Sequence, residues 1–174
     1  LLIKMGYRDI NQRDTILIIN RDLTLIADFF CEQALKLAYA FTEKNHEPPK
    51  DSNNQPIYPY IIGMGKMGGF ELNFSSDIDL IFGYTGDDSH FFHKVARKFI
   101  HLLHTNTEDG FVYRVDLRLR TFGSSGPIAL SSQAMVNYYF QYGRDWERYA
   151  LIKARVVAGN PTEGSRFLKE IEPF

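Results

Sequence analysis

Asp77 and Asp79 stand one residue apart at the head of an apolar run, inside the stretch GMGKMGGFELNFSSDIDLIFGY from Gly63 to Tyr84. Alternate side chains of a strand share a face. Both carboxylates therefore project together, while Ile78, Leu80 and Phe82 turn into a core. Adjacent carboxylates repel one another unless a cation sits between them. Oxygen-only ligands of this kind suit Mg²⁺, which keeps several waters and takes further ligands from substrate phosphates. Just upstream, Gly65, Gly68 and Gly69 leave backbone amides bare, where a phosphate can approach. The run thus demands a strand, a tight glycine turn and an acidic strand in close order. It points to metal-dependent transfer of a nucleotidyl group.

A D-x-D pair alone is a weak signal, because Asp is common where strands begin and turns end. Its surroundings strengthen it. Pro59–Gly63 predicts a strand, Gly65–Phe70 a turn, and Leu72–Ser76 a short helical or irregular stretch. A third carboxylate lies downstream in Phe111–Arg120, FVYRVDLRLR, which alternates along its length. Val115, Leu117 and Leu119 form one face; Arg114, Asp116, Arg118 and Arg120 form the other. Such alternation predicts a half-buried strand. A solvated face with cross-strand ion pairs would account for those charges by itself. Arginines beside a lone Asp also suit phosphates, since the guanidinium fork matches their oxygens.

A strand, a glycine turn, the ten-residue spacer Met67–Ser76 and then D-x-D resembles the signature of the nucleotidyltransferase superfamily that includes DNA polymerase beta. The resemblance narrows when three blocks are taken in order. GMGKMGGFELNFSSDIDLIF, YRVDLRLRTFGSSGPIALS and GRDWERYALIKARVVAG look like consecutive blocks of the bacterial bifunctional glutamine synthetase adenylyltransferase/adenylyl-removing family. Their wording resembles the amino-terminal, adenylyl-removing half, from about Ile61 to Gly159. Thr121 departs from the pattern, standing where the family usually has Pro. The change loosens a turn but removes no catalytic group.

That resemblance implies an α/β nucleotidyltransferase fold: a small mixed twisted sheet flanked by helices, with an amino-terminal helical segment. It implies that Asp77, Asp79 and Asp116 are catalytic and hold Mg²⁺. Gly65, Lys66, Gly68, Gly69, Ser76, Arg118 and Arg120 would bind nucleotide or phosphate. The expected reaction is phosphorolysis of adenylylated glutamine synthetase, with phosphate as co-substrate and ADP as product. A PII-type nitrogen regulatory protein is the expected regulator. Two alternatives stay open: adenylylation of the synthetase with ATP, and a non-catalytic module that senses nucleotide.

Composition sets the limits. The 174 residues carry 20 basic and 21 acidic side chains for a net charge of −1, so the charge balance expected of a general nucleic-acid binder is missing. No apolar run approaches the length of a membrane span, and a cytoplasmic protein is expected. The single Cys31 excludes an internal disulfide and falls at an apolar position of a predicted helix, which suggests a buried reduced thiol. The start at Leu1 and the greater length of the family suggest a fragment.

Residues 1–50 read as a helical segment, 51–160 as the catalytic domain and 161–174 as a tail. The helical pattern covers Arg8–Asn45, with Ile26, Phe30, Gln33 or Ala34, Leu37 and Phe41 on the apolar period. Lys50–Pro59 reads as a loop and Ser89–Thr105 as a crossover helix. His90, His93, His101 and His104 on that helix lack the matching ligands a zinc site needs, and read as exposed. Ser131–Val157 reads as one helix, with Tyr138, Tyr142, Tyr149, Ile152 and Val156 as a core stripe. Arg144, Arg148 and Arg155 then fall on a second, charged face, flanked by Glu147 and Lys153.

Overall fold

The computed structural model describes residues 2–108 and 110–174. Two amino-terminal helices, α1 (Leu2–Ile10) and α2 (Ile16–Glu43), precede the sheet. Then follow β1 (Tyr60–Gly63), the single-turn α3 (Gly65–Gly68), β2 (Ile78–Tyr84), α4 (Ser89–His104) and β3 (Val115–Asp116). A 3₁₀ turn at Gly123–Ser125 leads to β4 (Ala129–Ser131), α5 (Ser132–Tyr142), α6 (Asp145–Leu151), β5 (Arg155–Gly159) and α7 (Pro161–Ile171).

The expected fold class holds: a mixed sheet between helical layers, as in nucleotidyltransferases. β2 is its centre. It pairs antiparallel with β1, which pairs antiparallel with β5. Along its other edge β2 pairs in parallel with β3 at its start and with β4 at its end. The parallel pairings need a crossover, and α4 supplies one. Both faces of β2 are covered. Ile78, Leu80 and Phe82 join a core with α2 and α4, whereas Ile81 joins Tyr60, Ile62, Met135, Phe167 and Ile171 on the opposite side.

Side-chain caps fix the helix starts. Asp88 accepts from the amides of His90 and Phe91, Ser131 from Ala134, and Asn160 from Thr162 and Glu163. Each satisfies donors that a helix N-terminus leaves open. α4 matches the crossover helix expected over Ser89–Thr105 to within a residue.

Four expectations are corrected. The amino-terminal helix is broken at residues 11–15, where Gln12 has a positive φ of 50°. Its buried face is Ile19, Leu23, Ala27, Cys31, Ala34, Leu35 and Ala38, leaving Phe30, Leu37 and Phe41 exposed. Small residues at 27, 34 and 38 let α2 lie close to the sheet, and that close fit outweighs the larger side chains on the rival stripe. The Phe111–Arg120 stretch pairs over only two residues. The single helix expected over Ser131–Val157 is α5, α6 and β5, divided at Gly143 and again after Leu151. Of its expected core stripe Tyr138 is buried, but Tyr142, Tyr149 and Ile152 are exposed. Arg155 consequently lies in a strand, not on a helical charged face. Cys31 is fully buried, as expected.

Candidate active site

The parallel register of β2 and β3 sets Asp79 directly beside Asp116. Neighbours in register on adjacent strands share a face, so the two carboxylates face the same side of the sheet. Asp77 lies one residue before β2 begins. With Gly65, Lys66, Asn73, Ser75, Ser76 and Arg118, the three acids line one hollow of about 470 Å³.

Gly65 is required by geometry. Its φ is +51°, and a Cβ there would lie 3.1 Å from Asp79 Oδ2. A side chain would be strained in that backbone and would crowd the carboxylate. Gly68 and Gly69 do not line the hollow; they allow close packing. A Cβ on Gly68 would strike the Lys153 carbonyl, and one on Gly69 would come within 2.7 Å of Lys153 Cδ. Arg155 locks the same turn from below. Its guanidinium donates to the carbonyls of Met67 and Gly68 at 3.0 and 3.2 Å, and pairs with Asp28 of α2 at 2.8 Å.

Arginines hold two of the acids. Arg114 pairs with Asp77 and also donates to the Ser75 carbonyl at 2.6 Å. Arg118 donates to Asp116 through its backbone and its side chain, both at 2.8 Å. That side-chain hydrogen bond holds the Asp116 carboxyl below the usual carboxylate range. Asp79 is driven the other way. Burial pushes its carboxyl up, and the charges of Asp116 and Asp77 add to the shift. The site therefore concentrates its electrostatic strain on Asp79, to which no described residue bonds a full countercharge.

Arg120 lies apart from the hollow. Its guanidinium donates to the carbonyls of Leu117, Ser124, Gly126 and Pro127 at 2.7–3.2 Å, tying the loop after β3 together. Two residues lining the hollow escape the sequence reading, Asn73 and Ser75, while Tyr149, expected in a core stripe, is exposed. Asn73 anchors a local turn by accepting from the Ser75 amide and the Ser76 hydroxyl. The N-F-S-S wording carries that signal. Tyr149 and Lys153 border a second hollow of about 370 Å³ that shares Gly65 and Lys66 with the first. Lys153 is held there by Glu71 at 2.6–2.7 Å.

The donor set is chemically suited to a hard cation, being carboxylate oxygen throughout. Among the described residues no three His, Cys, Asp or Glu side chains are gathered tightly enough to grip an ion as they stand. Asp77 and Asp116 would have to exchange their arginine partners for metal. Ion-pair exchange at exposed arginines is inexpensive, since Arg114 and Arg118 are 47% and 80% exposed. The histidines of α4 serve other ends: His93 bonds the Ala129 carbonyl at 2.8 Å, and His104 accepts from the Val115 amide at 3.2 Å.

Comparison with known proteins now bears on this geometry. The family model described as glutamate–ammonia ligase adenylyltransferase matches residues 1–170. A bifunctional glutamine synthetase adenylyltransferase/adenylyl-removing enzyme from Thioalkalivibrio sulfidiphilus is 39% identical over 99% of the chain. Its counterpart in Pseudomonas aeruginosa is 41% identical over 99% of the chain, and that of Pasteurella multocida 51% identical over 64%. The chain spans 19% of the length of the first two relatives. Among the described residues no helix is long and apolar enough to cross a membrane.

Proposed function

The chain belongs to the glutamate–ammonia ligase adenylyltransferase family, and on that footing we propose that its acid hollow removes AMP from adenylylated glutamine synthetase by Mg²⁺-dependent phosphorolysis. The observation that carries the reading is the β2–β3 register, which places Asp79 beside Asp116 against a glycine that leaves room for the carboxylate. The relatives' names contain both addition and removal of the adenylyl group. The FGSSGP and WERYALIKARV wording favours removal, because it resembles the removing half of the family.

In this reaction an oxygen of hydrogen phosphate attacks the phosphorus of the AMP–tyrosine ester. The new P–O bond makes ADP, the bond to the tyrosine oxygen breaks, and the proton of hydrogen phosphate passes to the phenolate. A phenol of pKa about 10 is a fair leaving group, and ionised phosphate needs no strong base. Bound by Asp77, Asp79 and Asp116, Mg²⁺ would relieve their repulsion and stabilise charge on the attacking and departing oxygens. Lys66 and Arg118 supply the cationic donors of the hollow and orient phosphate oxygens there. Release of Arg118 from Asp116 frees its fork for that task. Ser75 and Ser76 add hydroxyls at the rim.

The proposal extends to a cytoplasmic enzyme that takes adenylylated glutamine synthetase as protein substrate and answers to a PII-type regulator. It is tested by assaying the natural full-length polypeptide and its Asp79→Asn variant with adenylylated synthetase, phosphate and Mg²⁺. Phosphate-dependent ADP release is expected from the parent and not from the variant. Undiminished release from the variant would sink the reading.

A further inference from the structure

A further charged hollow lies between the carboxyl end of α2 and the outer face of α4, and shares no lining residue with the acid hollow. Its volume is about 410 Å³, within the range of small-molecule sites. Lys94, Arg97, Lys98 and His101 line it from successive turns of α4; Phe41 and His46 close it from α2 and the turn beyond. No carboxylate lines it.

This arrangement is costly for the helix. Lys94 and Lys98 are four apart, and like charges at that spacing destabilise a helix. Lys94 directs its ammonium to His46 Nε2 at 2.8 Å, an imidazole and not a carboxylate. Lys98 sits 4.1 Å from the centre of the exposed Phe41 ring. The carbonyl end of α2 brings partial negative charge to the border, which eases the crowding without a full countercharge. Other cations pair across elements, as at Arg155–Asp28 and Lys153–Glu71. Here basic side chains gather around a concavity that no described carboxylate lines.

We propose that this hollow is a binding site for a small phosphate-bearing anion, held by Lys94, Arg97 and Lys98. The planar Arg97 fork would take two phosphate oxygens, with the lysines as point charges on the others. Phe41 offers an apolar wall on which the organic part of a phosphate ester can rest.

The test is calorimetric titration of the protein with pyrophosphate and, separately, ADP, at low salt in the presence of a chelator. Without divalent cations the acid hollow repels both probes. Binding is expected, and is expected to weaken on the order of tenfold or more in Arg97→Ala/Lys98→Ala. Arg97→Lys should recover part of it. Tighter binding of ADP than of pyrophosphate would place the ester's organic part on Phe41; equal binding would make phosphate alone the ligand. Binding unaffected by the double substitution, no binding by either probe, or preference for an acidic peptide over both would overturn the assignment.

Discussion

Asp79 is the residue on which the chemistry and the stability of the site pull in opposite directions. Its carboxyl is raised by burial first and by Asp116 and Asp77 next. A carboxyl raised in the folded state favours the native protein only while protonated, and that contribution is lost as pH rises through the folded value. Ionised Asp79 therefore costs the metal-free protein stability at neutral pH. Asp79→Asn should abolish phosphate-dependent turnover, by at least about a hundredfold, the scale seen when one charge-stabilising group is removed. The same variant should melt at or above the parent at neutral pH in chelator, with the gain vanishing below about pH 4. Thermal melts across pH check the second half independently of activity. Arg118→Ala poses the converse case. The side chain is largely exposed, so folding should barely change, while the apparent requirement for phosphate should rise about tenfold. Equal phosphate dependence in parent and variant would leave Arg118 a surface partner of Asp116 only.

At the scale of elements, Arg120 and Gly68 have testable structural work. Arg120 satisfies four carbonyls of the loop between β3 and β4. A lysine cannot reproduce that planar set of donors. Arg120→Lys should therefore lower thermal stability by about 1 kcal/mol, the net loss of hydrogen bonds to acceptors that are part-buried or exposed. Gly68→Ala should cost about 1–3 kcal/mol through overpacking against the Lys153 backbone. Denaturant melts check both. These elements also show why the chain was only partly readable. The acidic strand is legible as a short apolar run headed by Asp77 and Asp79, and the crossover helix because α4 carries one uninterrupted period. The register of Asp79 against Asp116 was implied by resemblance and could not follow from either strand alone. The region after β4 misled, because aromatic residues recur at near-helical spacing across Gly143 and across the turn after Leu151. The Asn160–Pro161 start of α7 was a capping signal in plain view. The α2 face escapes a reading by hydrophobicity because small Ala27, Ala34 and Ala38 are buried while larger Phe30, Leu37 and Phe41 stay exposed.

Over the whole molecule, the sheet is held between two cores that are rich in tyrosine. Tyr39, Tyr58 and Tyr113 are each pushed up to about 12 by burial, and burial raises Tyr60 and Tyr139 as well. A raised phenol keeps its stabilising contribution below the unfolded value and loses it as pH climbs through the folded one. Alkaline unfolding should therefore be cooperative between about pH 10 and 12, with these phenols ionising together with loss of structure. Phenolate absorbance followed beside circular dichroism checks it; smooth ionisation in an intact fold would contradict it. The central claim is that the hollow of Asp77, Asp79 and Asp116 removes AMP and does not add it. The most direct measurement compares the full-length polypeptide with its Asp79→Asn variant in two assays run side by side. One follows ADP released from adenylylated glutamine synthetase on adding phosphate and Mg²⁺; the other follows label passed from ATP to the unmodified synthetase. The expected result is loss of the first activity with the second retained. Loss of label transfer with phosphate-dependent ADP release intact would contradict the claim and assign this hollow to adenylylation.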